Sequence, residues 1–201
     1  MKIAMLGHKR IPSREGGVEI VVGELSSRMH KKGHGVTVYN RSGAHVSGKE
    51  FGTVDVKDYN GVRLKKVFTL NVKGLAAMTS SFCAAVCAAF GNYDVVHFHA
   101  EGPCAMMWIP KLFGKHVVAT IHGLDWQRAK WGGFATKYLQ FGEKVAAKCA
   151  DEIIVLSKNV QQYFKDTYNR ETKFIPNGID KMPIQAADVI KQNWGLEKDN
   201  Y

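Results

Sequence analysis

Several histidines and acidic residues in this sequence fall where strands should end. Val117-Val118-Ala119-Thr120-Ile121 is a β-branched, apolar run without polar alternation, and it stops abruptly at His122, Gly123, Leu124, Asp125 and Trp126. Such a run suits a strand covered on both faces, as in a parallel sheet between helices. A second run, Tyr93 to His99, finishes His97-Phe98-His99 and is followed by Glu101. In open α/β sheets, ligands bind just outside the carboxyl ends of the strands. Imidazoles and carboxylates placed there can orient a polar substrate and stabilise developing charge. Gly16-Gly17 stands ahead of Val18, Val21, Val22, Leu25 and Met29, an apolar stripe at helical spacing. Backbone N–H groups at such a helix start form a natural diphosphate site. The pair is neither a GxGxxG fingerprint nor a P-loop, so a plain turn is the competing reading.

Each candidate has a structural alternative. His122 by itself fits a hydrogen-bonded structural histidine as well as a substrate contact. His97 and His99 point to the same side of a strand and raise the question of metal, but no third ligand is evident. Polar lining of a cleft, with Glu101 nearby, is the favoured reading. Glu19 is disfavoured beside a phosphate unless it faces a hydroxyl or caps its helix. Asp125, Trp126 and Arg128 offer a stacking ring and charged hydrogen bonds, or a plain loop. Pro176-Asn177-Gly178-Ile179-Asp180 reads as a turn in which Gly178 supplies the positive φ. The four cysteines, Cys83, Cys87, Cys104 and Cys149, include no CxxC pair and no histidine spacing for zinc.

The elements that must position these residues alternate along the chain. Lys2–Leu6 is a first strand, Val18 to about Lys32 a helix ended by Gly33-His34-Gly35, and Val36–Tyr39 a second strand. Residues 41–60 read as a loop with a weak hairpin, and Val62–Val67 as a strand nearer the sheet edge. A helix from Gly74 to Phe90, the strand ending at His99, a short helix to Leu112 and the strand ending at Ile121 follow. Next come a helix from Phe134 to Cys149, the strand Glu152–Leu156, and a helix from Lys158 to Thr167 with Ser157 as its N-cap. A short strand, Lys173–Ile175, precedes the Pro176 turn. This alternation predicts an α/β fold, a doubly wound parallel sheet with helices on both faces. With 201 residues, 45% of them hydrophobic, the chain fits one domain.

A formal charge of +10 implies attraction to something anionic. The basic residues are dispersed, which suits either a solvated surface or a face held against anionic lipid at about 1 kcal/mol per basic residue. No recognition motif supports nucleic acid. The uncharged stretch Gly74–Tyr93 is too weakly hydrophobic to span a bilayer. It reads as a helix packed on the sheet, with membrane contact as the alternative. No targeting segment precedes the first strand, so a cytoplasmic location is expected, and Asn40-Arg41-Ser42 is read as an accidental sequon. Lys181–Tyr201 reads as a polar helix leading onward, as in a truncated chain.

Taken together, five features resemble the amino-terminal domain of retaining glycosyltransferases of the GT-B fold, in the family 4 class. They are Gly16-Gly17-Val18-Glu19; Lys32-Gly33-His34-Gly35-Val36-Thr37-Val38; Tyr93-Asp94-Val95-Val96-His97-Phe98-His99; Thr120-Ile121-His122-Gly123; and Ser157 with Pro176-Asn177-Gly178-Ile179-Asp180. Their order and spacing cover nearly the whole chain. They resemble most the bacterial capsule and exopolysaccharide transferases, including rhamnosyltransferases.

The resemblance implies a Rossmann-like, acceptor-binding domain over residues 1–180. Residues 181–201 would be a linker to a donor-binding domain absent from this chain, so the chain alone should be nearly inactive. Gly16 and Gly17 would contact the donor diphosphate, and His122 would be the catalytic residue that orients the donor sugar. Glu19, His97, His99, Glu101, Asp125, Trp126 and Arg128 would line the acceptor side, with Asn177 and Gly178 as a hinge beside the interdomain cleft. The leaving phosphate would accept the acceptor's proton, so no cofactor, metal or protein nucleophile is called for. The implied partners are a nucleotide-sugar donor and a saccharide or lipid-linked acceptor, at the inner face of the plasma membrane. The sequence departs from the family where His-Asp is usual, because His122 is followed by Gly123-Leu124-Asp125. A non-catalytic basic domain binding anionic membrane or a nucleotide is the alternative. A nicotinamide-binding dehydrogenase is disfavoured, since the first strand lacks GxGxxG and the second ends Tyr39-Asn40-Arg41 without an acidic residue.

Overall fold

The computed structural model describes residues 1–43, 56–72, 74–127, 132–179, 188–197 and 199. The strands are β1 (Lys2–Leu6), β2 (Gly35–Arg41), β3 (Asp58–Tyr59), β4 (Val62–Val67), β5 (Val95–His99), β6 (His116–Ile121), β7 (Glu152–Val155) and β8 (Lys173–Phe174). The helices are α1 (Gly17–Lys31), α2 (Leu75–Phe90), α3 (Glu101–Cys104), α4 (Trp108–Leu112), α5 (Gly133–Cys149), α6 (Lys158–Tyr168) and α7 (Asp188–Trp194). One sheet runs in the order β3-β4-β2-β1-β5-β6-β7-β8, parallel throughout except for β3. Strand order reverses between β1 and β5. In open α/β sheets such a switch point is where ligands bind, at the carboxyl ends of the strands.

Each strand of the centre feeds two cores because successive side chains alternate faces. Ile3 and Met5 pack with Val22 of α1 and with Val36 and Val38, whereas Ala4 and Leu6 pack with Ala84 and Ala88 of α2. The uncharged stretch is thus a helix on the sheet. Ala84, Ala85, Ala88 and Ala89, fully or almost fully buried, let the α2 backbone lie close to the strands. Among the described residues no helix is long and apolar enough to cross a membrane.

Three details differ from the sequence expectations. The second strand extends to Arg41, because it pairs in register with β4 as far as Arg41–Val67. The hairpin closes β3 on β4 through Asn60 and Gly61, with φ of 51° and 80°. Both positive values are what a tight two-residue hairpin turn requires. The short helix before β6 is two pieces, α3 and α4, since Pro110 lacks an N–H to continue a helix through Ala105–Met107 and is tolerated only in the first turn of a new one. Ser157 caps α6 as expected, its hydroxyl accepting the Val160 N–H.

Candidate functional site

The carboxyl ends of β1, β5 and β6 converge on a group of buried polar side chains. At the end of β1, Gly7 adopts φ +110°, and a Cβ there would lie 2.3 Å from the His99 carbonyl oxygen. Glycine is therefore needed both for the turn and for the approach of β1 to β5. The loop that follows is fastened from two sides. Asn40, at the end of β2, bonds His8 Nε2 (3.0 Å) and accepts the Ile11 N–H (3.1 Å), while its amide donates to the Ile11 carbonyl (2.8 Å). That buried amide is fully engaged, which agrees with reading the sequon as accidental. Glu19, near the start of α1, accepts the Lys9 N–H at 2.9 Å.

Gly16 is the N-cap of α1, in extended conformation, and Gly17 begins the helix. The Glu19 carboxylate folds back over Gly16, so that a Cβ at residue 16 would sit 2.2 Å from Glu19 Oε2. Gly17 has open space beside it. Of the two glycines, only the second leaves its side of the helix start unobstructed. Glu19 itself is buried at 7% exposure, and its bond to the Lys9 N–H ties the loop to the helix start.

At the end of β5 and β6, three imidazoles form a chain. His97 Nε2 bonds Thr120 Oγ1 at 2.7 Å, the His97 and His99 rings stack at 4.2 Å, and His99 Nδ1 meets His122 Nε2 at 3.2 Å. His97 and His99 are buried, and burial lowers the His97 pKa to about 4 and that of His99 well below the ordinary value. Burial also lowers the pKa of half-buried His122, opposed by the nearby carboxylates of Asp125 and Glu19. All three are thereby neutral imidazoles at physiological pH. The start of α1 follows β1 and His122 follows β6, both at the carboxyl ends of parallel strands, so Gly16, Gly17 and His122 share one edge of the sheet.

The loop after β6 continues as a 3₁₀ turn, Asp125–Gln127. The Asp125 N–H donates to Glu101 Oε2 (3.0 Å), and the Trp126 indole N–H donates to Glu143 Oε2 (2.9 Å) on α5. Asp125 and Trp126 are half-buried, on the same loop as His122. Arg128 lies outside the described residues. His97, His99 and Glu101 differ from the expectation that they line a cleft. They are buried in the interior, His99 and Glu101 without measurable exposure, because β5 is an interior strand and α3 turns Glu101 inward. Gly178 is a second correction. Its φ is not in the left-handed region, and with Asn177 it lies on an exposed segment running out from β8.

Sequence reasoning missed Gly7, His8, Asn40 and Glu143. A glycine directly after the first strand of a βαβ unit was the available signal for Gly7. The others depend on contacts between distant elements. A cavity of about 690 Å³ opens at the opposite, amino-terminal edge of the sheet, beside Lys2, His34, Arg63 and Tyr93. No predicted site residue lines it.

The family model described as Glycosyltransferase Family 4 matches residues 15–181. No curated protein sequence gives a match. Among solved structures, sucrose-phosphate synthase from Thermosynechococcus elongatus superposes with a TM-score of 0.66 at 18% identity, over 95% of this chain and 52% of that one. Anabaena HepE in complex with UDP gives 0.63 at 16% identity, over 97% and 50% of the two chains. HepE with UDP and glucose gives 0.61 at 16% identity, over 90% and 45%. The chain therefore spans about half the length of the structures it resembles, and its fold is that of the Rossmann-like half of a GT-B enzyme.

Proposed function

Because this chain belongs to glycosyltransferase family 4, we propose that it is the acceptor-side domain of a retaining transferase that moves a sugar from a nucleotide-sugar donor to a saccharide or lipid-linked saccharide. The observation that carries this reading is the placement of an open helix start at Gly17 and a neutral histidine, His122, at the same carboxyl edge of the sheet. The nucleotide and sugar held by the HepE structures support a donor of that class. A second domain, joined through residues 181–201, would supply the remaining donor contacts.

In this proposal the α1 N–H groups near Gly16 and Gly17 bind the donor diphosphate, where the helix dipole favours negative charge. His122, with Nε2 engaged by His99, turns Nδ1 to a donor-sugar hydroxyl and orients the anomeric carbon. The acceptor hydroxyl forms the new C–O bond on the face the diphosphate leaves, and the leaving phosphate takes the hydroxyl proton. Charge is stabilised by fixed donors and no protein nucleophile is needed. Trp126 and Asp125 would meet the acceptor through a ring face and a carboxylate.

A role in bacterial cell-surface polysaccharide synthesis, with the enzyme held at the inner membrane face, follows from the same resemblance. Supporting it, Phe90 and Phe113 touch with ring centroids 4.6 Å apart and are both exposed, as are Leu112 and nearby Lys111, whose ammonium also pairs with Asp151. Apolar and basic groups side by side suit an anionic lipid surface.

The test is calorimetric titration of the full-length polypeptide with nucleoside diphosphates and their sugars, beside His122→Ala. Selective binding of one nucleotide sugar is expected, with binding retained and turnover reduced by 100-fold or so in the variant, as for loss of one preorganised transition-state contact. Absence of nucleotide binding together with retained binding to anionic vesicles would replace this reading with the non-catalytic membrane-binding one.

A further inference from the structure

Two carboxyl groups, Glu101 on α3 and Glu143 on α5, lie against each other with no exposed surface. Their closeness is built into the backbone. Gly142 has no room for a side chain, since a Cβ there would fall 2.1 Å from the Glu101 carbonyl oxygen, so α5 meets α3 at glycine contact distance. Ala100, just before α3, holds φ +74° and ψ 158°, a conformation costly for a residue with a Cβ. The fold accepts that strain to turn Glu101 inward from the end of β5.

The partners of the pair are all neutral donors. Glu143 accepts from the Trp126 indole (2.9 Å), from the Tyr163 hydroxyl (2.8 Å) and from the Tyr168 hydroxyl. Glu101 Oε2 accepts the Asp125 N–H, while Glu101 Oε1 is buried without a donor among the described residues. Among the described residues no cation pairs with either carboxyl group. Two like charges in contact, buried and uncompensated, cannot both persist. One proton between them resolves the conflict and also gives Glu101 Oε1 its partner. Glu143, with three donors aimed at it, is the better carboxylate, so the proton resides on Glu101 and is donated to Glu143.

We propose that Glu101 and Glu143 share one proton and that this carboxylic acid–carboxylate pair positions the loop carrying His122, Asp125 and Trp126. The pair holds that loop at two consecutive residues, and through Tyr163 and Tyr168 it ties the loop to α6. Both glutamates are positioning residues, acting on the site through Asp125 and Trp126. The functional part of the inference rests on the reading of this loop as part of a sugar-transfer site; the shared proton does not.

Burial, then Glu143, and then the Asp125 charge raise the Glu101 pKa to about 9. The other titratable groups facing the pair are Cys104 on α3, Tyr163 and Tyr168 on α6, and Tyr138 on α5 beside Cys104. All are displaced upward, mainly by burial, so they stay neutral while Glu101 titrates. Losing the proton puts a second anion in the pair and should release the loop.

The experiment is a pH titration of this chain labelled with ¹³C at glutamate Cδ, followed in parallel by tryptophan emission assigned with Trp126→Phe. One glutamate carbon should titrate in the alkaline range, with a Trp126 change at the same midpoint. Both transitions should be lost in Glu101→Gln, whose amide still donates to Glu143. In Glu143→Gln the amide faces three donors, and a lower thermal midpoint is expected. If every glutamate carbon titrates in the ordinary acidic range, or if the alkaline transition survives in Glu101→Gln, the shared proton is refuted. An alkaline carboxyl transition without a Trp126 response refutes the positioning role. In the full-length polypeptide, Glu101→Gln should remove the alkaline limb of kcat. Should that polypeptide show no transferase activity while the carbon and tryptophan signals behave as stated, the functional reading fails and the proton-sharing clamp stands.

Discussion

Lowering the pH from 6.5 to 4.5 should destabilise this chain through its buried histidines, before most carboxylates titrate. His8 and His97 are 2% and 4% exposed, and burial lowers both pKa values from 6.5 to about 4. His99 is lowered further, with the possible charges on His97, His122 and His8 adding to the effect of burial. In the unfolded chain each imidazole takes up a proton near its ordinary value, while the folded chain holds it neutral. Between pH 6.5 and 4 the unfolded state therefore binds more protons, and stability falls as pH falls. At 1.36 kcal/mol per pKa unit, His8 and His97 each account for about 3 kcal/mol over that window. The two together approach the roughly 5–15 kcal/mol that a whole domain has available. The assay is urea unfolding followed by circular dichroism at one-unit pH intervals. Between pH 6.5 and 4.5 the slope should reach about 1.4 kcal/mol per pH unit for each histidine that stays neutral when folded. One such increment is subtracted for Glu101, whose raised pKa keeps a proton on the folded chain that the unfolded chain has released. His97→Gln, whose amide can still meet Thr120 Oγ1, should flatten the slope by one such increment. In Glu101→Gln, which removes the opposing carboxyl proton, equal unfolding free energies at pH 7.5 and 5.0 would refute the reasoning, because they would mean that the folded chain protonates these imidazoles without penalty.

Three substitutions probe how the site is held. Gly142→Ala puts a methyl group 2.1 Å from one backbone atom of Glu101 and 3.0 Å from another, so α3 and α5 must part; about 3 kcal/mol should be lost in thermal or urea denaturation, with Trp126 emission shifted as its partner Glu143 moves. Ala100→Gly relieves the strain at φ +74° and should stabilise the chain by about 1 kcal/mol, read as a higher urea midpoint. Ser157→Ala removes the hydroxyl that accepts the Val160 N–H and should cost about 1 kcal/mol by the same measurement.

Where one short stretch decides an outcome, the sequence was legible. The apolar run before His122, the glycine-ended helix at Lys31 and the serine ahead of α6 each specify their elements locally, and the alternation of elements leaves a doubly wound sheet as the economical assembly. The convergence of Gly17 and His122 also follows, because the rule placing ligands at the carboxyl ends of strands needs only the strand assignments. What the sequence concealed is the layer beneath. Glu143 reads as an ordinary helix charge beside Lys144, yet it lies on the buried stripe Leu139, Gly142, Glu143, Ala146 of α5. A carboxylate on an apolar stripe must find donors, and here they come from Trp126, Tyr163 and Tyr168, 17 to 25 residues away on a loop and another helix. His97 and His99 show the same division of information. Their shared face could be read from a two-residue spacing, but their burial depends on β5 having β1 and β6 as neighbours. Alternation assigns the face, and strand order decides whether that face meets a ligand or the interior. The imidazole left at the surface, His122, is the one that follows its strand, at the point where the chain leaves the sheet; the buried pair and the two glutamates hold that exit in place.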